Sequence, residues 1–489
     1  MSVRVRFAPS PTGPLHIGGA RSALFNYLFA AGKDGTFILR IEDTDLERSS
    51  HESEIGIIDA LRRLGINWDE GIEVGGDNGP YRQTQRLDIY KQYTEKLLAA
   101  GQAYYCYCTE EELEQERQEL MARGETPRYM GKCRDLTAEQ RRELEAQGRK
   151  PVVRFKVPAG REIVINDLVR GKVVFESDGI GDYIIVKSDG IPTYNYAVVI
   201  DDLLMNITHV IRGEEHLSNT PRQVLIYEAL GMKVPDFAHI SLILNSEGRK
   251  MSKRDGDTAI VDYFNKGYLP QALVNFIALL GWSPSGEQEF FSMEELVKEF
   301  SLERVSKSPA VFDLNKLNYI NSYYLKQTPP EDLIDLALPF LRAEGLFNEA
   351  DILSEEQRQW IVIFLKAVRE KINNLSEIRD YIKFFTGEEV DVTDEEARLI
   401  LQAPTVPAVL ELLREKVHAT PELDPPAAKS ILKQIGKELK LKGRDVFMPV
   451  RIALTGQMHG PDLDAILALL GPNSIEQRLN KTAKYLKQD

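Results

Sequence analysis

The spacing of apolar positions changes period several times along the chain. Val3, Val5 and Phe7 alternate with Arg4 and Arg6, the two-residue repeat of a strand, and the proline-rich residues 9–14 then break it. From Gly18 onward Ala20, Leu24 and Leu28 recur every four residues, with Phe25 flanking the same face, which predicts a helix. Residues 37–41 read as a second strand, and Ile55, Ile58, Leu61 and Leu64 mark a second helix. Strand, helix, strand, helix at this spacing predicts βαβ units and a parallel sheet. The rhythm resumes with strands over 194–200 and 208–211. A helix follows over 221–230, capped by Asn219 or Thr220 with Gly231 just past its end, and then an apolar strand over 238–244.

Residues 81–190 have a different character. They hold a charged helical segment after Thr109, strand-like runs over 152–157 and 183–187, and every cysteine of the chain, which predicts an inserted α+β domain. Beyond Pro329-Pro330 the strand pattern stops. Leu333, Leu336, Leu338 and Leu341, then residues 361–368 and 465–470, predict packed helices, with the proline clusters at 403–407 and 421–426 as linkers or helix starts. The expected organisation is a Rossmann-like, nucleotide-binding α/β domain in two halves, 1–80 and 191–244, interrupted by the insertion at 81–190. A further domain over 245–328 and all-α subdomains over 329–385 and 386–489 complete the chain.

Composition changes this picture little. A chain of 489 residues, 43% hydrophobic and 28% charged, has room for several globular domains and argues against long disorder. No apolar run is long enough to span a bilayer, and residues 1–5 lack the apolar core of a secretory signal, so a soluble cytoplasmic protein is expected. Three cysteines are too few for a disulfide framework. A net charge of −14 argues against binding every polyanion, while leaving room for a local basic patch that binds one.

Two short segments carry chemistry. His16-Ile17-Gly18-Gly19 stands at a strand-to-helix junction, where unpaired backbone N–H groups and the positive end of the helix dipole favour phosphate. The glycines let a nucleotide approach the backbone, and the His16 imidazole can donate to a phosphate oxygen. Lys250-Met251-Ser252-Lys253-Arg254 places three positive charges in five residues, which suits a loop closing on a pyrophosphate leaving group. Alone, each also reads as a glycine-rich turn with a chance histidine, or a solvated basic turn. No G-x-x-x-x-G-K-[ST] occurs and no G-x-G-x-x-G follows a strand, which argues against a P-loop ATPase and a dinucleotide dehydrogenase.

Taken together, the two segments resemble the signature sequences of class I aminoacyl-tRNA synthetases. The stretches 6–13, 40–45, 79–84, 188–194, 211–216 and 449–456 narrow the resemblance to the glutamyl/glutaminyl branch, and within it to bacterial-type glutamyl-tRNA synthetases. It runs through essentially the whole chain. It implies ATP-dependent, magnesium-assisted activation of L-glutamate to glutamyl-adenylate, then transfer to the 3′-terminal ribose of tRNA(Glu), with tRNA(Gln) a second acceptor in some members. It also implies a monomer that needs bound tRNA for productive activation, with 81–190 binding the acceptor end, 245–328 contacting the stem and the helical part reading the anticodon.

By the same resemblance, His16, Lys250 and Lys253 are catalytic, and Thr12, Gly18, Gly19 and Leu242 join them around ATP. Arg6, Ala8, Ser10 and Glu42 line the glutamate pocket, with Tyr194 and Arg212 opposite. Thr44, Asp45, Arg48 and, in the helical part, Arg451 face tRNA. The physics agrees for the amino acid: two carboxylates call for cations such as Arg6 and Arg212, and one ammonium calls for Glu42. Arg212 bears most on glutamate against glutamine, because a buried guanidinium facing a neutral amide lacks its counter-charge. Two positions depart from the pattern. Gly19 stands where class I enzymes often have histidine, and Val198 where some relatives have a pocket asparagine.

Cys106, Cys108 and Cys133 hold zinc if a fourth ligand joins them, and Tyr129 and Asp135 are the candidates; three reduced thiols without metal are the alternative. Any zinc here is expected to be structural. Among rival functions, a glutaminyl enzyme would lack the helical C-terminal part. An adenylyltransferase making a nucleotide cofactor would not need it, and a non-catalytic tRNA-binding module would be expected to lose His16 or the lysines.

Overall fold

In the computed structural model, which describes residues 2–251, 257–348, 352–386 and 390–486, β1 (Arg4–Phe7) leads through α1 (Ile17–Ala31) to β2 (Thr36–Leu39). Then α2 (His51–Arg63) leads to β3 (Glu70–Gly71), and the three strands lie parallel in that order. α1 buries Ala20, Leu24, Phe25 and Leu28, as their four-residue repeat predicts. The turn before β2 requires glycine at 35, where a Cβ would lie 2.6 Å from the Val3 carbonyl oxygen. In α2 the buried face differs from prediction: Ile57, Ile58 and Leu61 point inward, whereas Ile55 is 53% exposed. Glu54 rotates the face by turning inward to accept from Arg82 Nη2 at 2.5 Å.

The insertion begins with α3 (Leu87–Ala99) and β4 (Ala103–Cys106), followed by α4 (Glu110–Ala122) and α5 (Ala138–Ala146). α4 is the predicted charged helix, started by a reciprocal cap between Thr109 and Glu112. Strands β5 (Val152–Phe155), β6 (Glu162–Asp167), β7 (Gly171–Glu176) and β8 (Tyr183–Val186) complete it. β4, β5 and β8 form an antiparallel sheet, and β6 and β7 a hairpin.

Two predictions for the next stretch are corrected. Residues 194–200 are not a strand but the start of α6 (Tyr194–Leu204). An apolar run buried on every side carries no period, and its β-branched residues misled. The helix lets the successive acids Asp201 and Asp202 both reach buried arginines. After β9 (His209–Gly213) and α7 (Thr220–Ala229), the predicted strand over 238–244 is broken into β10 (Asp236–Ile240) and β11 (Ile243–Leu244). At the break, side chains capture the backbone: Arg21 donates to the Ser241 carbonyl, and Leu242 N–H donates to Glu214 Oε1 at 2.8 Å. β11 then pairs with β12 (Ala310–Val311).

β9 and β10 run parallel, and Thr208 joins them to the first strands. Its N–H donates to the Arg4 carbonyl, and Arg4 N–H donates to Thr208 Oγ1, both at 2.9 Å. Residues 265–269 and 315–489 form a separate compact unit. Past β12, every regular element among the described residues is a helix, including Ile334–Ala343, Glu355–Val368, Gly443–Thr455 and Leu463–Thr482. Of the leucines predicted to pack in Ile334–Ala343, Leu341 is buried but Leu336 is 41% exposed, because Ile334 and Ala337 complete the inner face. No helix among the described residues is long and apolar enough to cross a membrane.

Candidate active site

A cleft of about 1440 Å³ opens where the C-terminal ends of β1, β9 and β10 meet the start of α1. This is where parallel α/β sheets bind ligands. Thr12, His16, Gly18 and Gly19 line it on one side, with Leu242 and Lys250 across from them. Arg6, Ala8, Ser10, Glu42, Tyr194 and Arg212 line its inner end, and Thr44, Asp45 and Arg48 its rim. Lys253 lies outside the described residues.

His16 is the N-cap of α1, and its Nδ1 accepts from Gly19 N–H at 3.0 Å. That leaves Nε2 as the donor toward the cleft. Crowding by the cleft walls lowers the imidazole pKa, Glu215 opposes this, and Lys250 adds to it, so the ring stays neutral in its capping role. A Cβ on Gly18 would sit 3.1 Å from the ring, and one on Gly19 3.1 Å from Leu15 Cδ1. Gly18 therefore makes room first for the folded-back histidine, and Gly19 for Leu15. The Gly19 N–H is used internally, and Ile17 N–H is bonded to the Thr258 carbonyl at 2.9 Å.

A buried ion-pair network stands behind the inner wall and presents Arg6 and Glu42 to the cleft. Arg6 donates through Nε to Asp202, and Arg40 donates to Asp202 Oδ1 at 2.7 Å and to Glu42 Oε1 at 3.1 Å. Asp201 accepts from Arg86, Gln83 and Tyr90. Burial opposes the charge on Arg40, yet Asp202, Asp201 and Glu42 hold its pKa well above the ordinary guanidinium value. For Glu42 the balance is reversed: burial raises its pKa, and Arg40 and Arg6 only partly offset that. A cationic group arriving from the cleft is what would favour its ionised form.

Opposite, Arg212 is 6% exposed. Its Nη2 donates to Thr220 Oγ1 and Gln223 Oε1 at 2.9 and 2.8 Å, its Nε to His239 Nε2 at 3.2 Å, and its Nη1 reaches Tyr194 Oη at 3.5 Å. All four partners are neutral groups. Burial accordingly lowers the Arg212 pKa. Tyr194 also lies 3.1 Å from His216 Nδ1, and burial, then Arg212, pushes His216 down to about 4.

At the rim Asp45 accepts from Arg48 Nε at 2.7 Å, a hydrogen bond that lowers the Asp45 pKa. Arg451 belongs to the helical unit, where its Nη1 donates to the Pro461 carbonyl at 2.7 Å and burial lowers its pKa.

The sequence family described as "tRNA synthetases class I (E and Q), catalytic domain" matches residues 2–319, and that described as "Anticodon binding domain" matches residues 332–483. The chain belongs to the class I tRNA synthetases. It is 65% identical over 99% of its length to the "Glutamate--tRNA ligase" of Desulfitobacterium hafniense, covering 99% of that protein. It is 49% identical to the Bacillus subtilis protein of the same name, over 98% of this chain and 99% of that one. Among solved structures, a glutamate tRNA ligase from Elizabethkingia meningosepticum in complex with its amino acid superposes with a TM-score of 0.87 at 37% identity, covering 100% of both chains. The α/β catalytic domain with a parallel sheet and the helical anticodon-binding part are thus those of a class I synthetase.

In this class I synthetase the insertion carries a further group of donors. The Sγ atoms of Cys106, Cys108 and Cys133 lie within 4.8 Å of one another. Tyr129 Oη is 3.5 Å from Cys106 Sγ and 3.7 Å from Cys108 Sγ, and Cys108 and Cys133 Sγ are 3.6 Å apart. A tetrahedral ion with bonds of about 2.3 Å would space its sulfur ligands roughly 3.8 Å apart, so the donor set fits a metal. Hydrogen bonds from Cys108, then Cys133, hold the Cys106 thiol well below its ordinary pKa. Asp135 is exposed and lies outside the group.

Sequence reasoning passed over Asp201, Asp202, Arg40 and Arg86, which lie behind the inner wall of the synthetase cleft and, through Asp202 and Arg40, hold Arg6 and Glu42 in it. The signal was there: two acids ending the apolar run Val198-Val199-Ile200 are tolerated only where a buried cation meets them.

Proposed function

We propose that the chain is a glutamate–tRNA ligase. It forms glutamyl-adenylate and pyrophosphate from glutamate and ATP, then passes the glutamyl group to the 3′-terminal ribose of tRNA(Glu), releasing AMP. The observation that carries the choice of amino acid is Arg212, a buried guanidinium open to the cleft whose hydrogen-bond partners are all neutral. Glutamate's side-chain carboxylate completes its charge, and a glutamine amide does not.

The α-carboxylate lies toward the outer nitrogens of Arg6, and the α-ammonium toward Glu42, drawing its carboxyl into the ionised form. Ala8 and Ser10 leave room beside β1, and Tyr194 closes the far side. ATP lies along Thr12, Gly18, Gly19 and Leu242, with His16 donating through Nε2 to a phosphate oxygen. Lys250 and Lys253 neutralise the charge that builds on the leaving pyrophosphate, and magnesium accompanies the ATP phosphates. No covalent enzyme intermediate is required: positioning and electrostatic stabilisation carry the rate.

Residues 81–190 take the acceptor end, with Thr44, Asp45 and Arg48 at the rim, 245–328 contacts the stem, and Arg451 acts in anticodon reading within 329–489. The chain works as a cytoplasmic monomer, and a zinc ion held by Cys106, Cys108, Cys133 and Tyr129 would brace the insertion without entering the reaction. The test is pyrophosphate exchange dependent on tRNA(Glu). Exchange with glutamate and not glutamine supports the reading, and exchange with glutamine alone, or none, overturns it. Charging of purified tRNA(Gln) in the same assay decides whether a second acceptor is used.

A further inference from the structure

Arg212 on β9 and His239 on β10 are register partners in a parallel pair. Arg212 Nε–H points at His239 Nε2, 3.2 Å away. The other ring nitrogen, Nδ1, donates to Asp167 Oδ2 at 2.6 Å, and both side chains are fully buried. Asp167 ends β6 in the insertion, 72 residues from His239 in sequence. Its orientation is fixed by three backbone donors: Val169 N–H at 3.0 Å, Arg170 N–H at 2.7 Å and His239 N–H at 3.2 Å, all to Oδ1. The hairpin is pinned to β10 as well, by Leu168 N–H donating to the Phe237 carbonyl at 2.8 Å.

The proton inventory of this line admits one arrangement. Ionised Asp167 accepts only, so Nδ1 carries the imidazole proton and Nε2 is left as an acceptor. With the opposite tautomer, a bare Nδ1 would face the Asp167 carboxylate at 2.6 Å, acceptor against acceptor, and Nε2–H would face Arg212 Nε–H, with Thr220 Oγ1, 3.1 Å from Nε2, left to accept from it. With a doubly protonated ring, two cations would face each other in a buried site. Burial lowers the His239 pKa, in keeping with the neutral ring.

We propose that Asp167 and His239 are positioning residues for glutamate specificity: Asp167 fixes the tautomer of His239, and His239 fixes the plane of Arg212. Thr220 and Gln223 hold the Nη2 corner, His239 holds Nε, and the remaining edge is aimed past Tyr194 into the cleft. The hairpin of the insertion thereby takes part in choosing the amino acid. The inference rests on the proposed assignment of Arg212 to the substrate side-chain carboxylate.

Two isosteric substitutions separate positioning from simple support. Gln at 239 places its amide oxygen near the position of Nε2 and keeps the acceptor for Arg212. Asn at 239 places its amide near Nδ1, keeps the bond to Asp167 and leaves Arg212 Nε–H without a partner. In tRNA-dependent pyrophosphate exchange with the full chain, His239→Asn is expected to raise KM for glutamate about tenfold or more, with kcat and KM for ATP within about twofold of wild type. His239→Gln should stay within about threefold of wild type in all three constants. Asp167→Asn, which preserves volume, should raise KM for glutamate in the same direction and supplies the reading if a His239 variant does not fold. Equal behaviour of the two His239 variants, a larger defect for Gln, or a wild-type KM in Asp167→Asn overturns the proposal. Arg212→Ala run alongside isolates the underlying reading: wild-type KM for glutamate there removes the role of Arg212 itself. A large loss there, with His239→Asn unchanged, removes only the positioning pair.

Discussion

Arg6 is held by Asp202 through one nitrogen, its Nε lying 3.1 and 3.2 Å from the two carboxylate oxygens. That grip turns the outer guanidinium nitrogens toward the cleft. Asp202→Asn leaves Arg6 and Arg40 sharing a neutral partner in a buried site. Stability should fall by about 3–5 kcal/mol in chemical denaturation, the cost of breaking a buried pair. In the fraction that remains folded, KM for glutamate should rise more than KM for ATP.

The lysines of the basic segment act on charge that appears only as pyrophosphate leaves. Lys253→Ala and Lys250→Ala are each expected to slow adenylate formation by about 10²–10³-fold. Glutamate affinity should change far less. Single-turnover kinetics with a separate glutamate titration makes the comparison, and equal losses in both would contradict the assignment.

Metal analysis of purified protein should find one zinc per chain. Cys133→Ser should abolish it, and Tyr129→Phe should weaken retention during dialysis against a chelator. Exchange activity should outlast the metal at low temperature, because the thiolate cluster lies in the insertion and not in the cleft.

His216 contributes to the loss of stability in acid, alongside His16, His209 and His239, whose pKa values burial also lowers. In the unfolded chain its imidazole titrates near the ordinary value, whereas in the fold burial, then Arg212, pushes it down to about 4. From about pH 6.5 down to about pH 4 the unfolded state therefore binds the extra proton, and stability falls as pH falls. The melting temperature of the wild type should drop more between pH 7 and pH 5 than that of His216→Asn. A parallel drop in both proteins would assign the acid loss to other groups.

Local pattern gave the βαβ opening, the helix after His16 and the helical C-terminal part, because one-sided burial writes its period into the sequence. It failed at α6, where residues 196–202 are all buried and no period survives. It placed Ile55 inside because nothing in the letters announced that Glu54 turns inward to Arg82. The break at Ser241 was equally invisible, since the groups that end the ladder there come from Arg21 and Glu214. Site residues in short motifs were legible, and the cleft gathers all of those described in the catalytic part. The residues that orient them, Asp167, Asp202 and His239, lie far away in sequence and carry no motif of their own.

The network around Arg40 also sets an order of events during synthesis. Arg40 is wholly buried, but its main counter-charge, Asp202, lies 162 residues further on. At about 5–20 residues per second the ribosome needs roughly 8–32 s to add that stretch. Until then Arg6 in β1 and Arg40 just past β2 lack their shared carboxylate, and β9 and β10 do not yet exist to flank them. The glutamate wall is therefore completed late on the nascent chain, after the insertion has emerged, and Arg6 and Arg40 wait for Asp202.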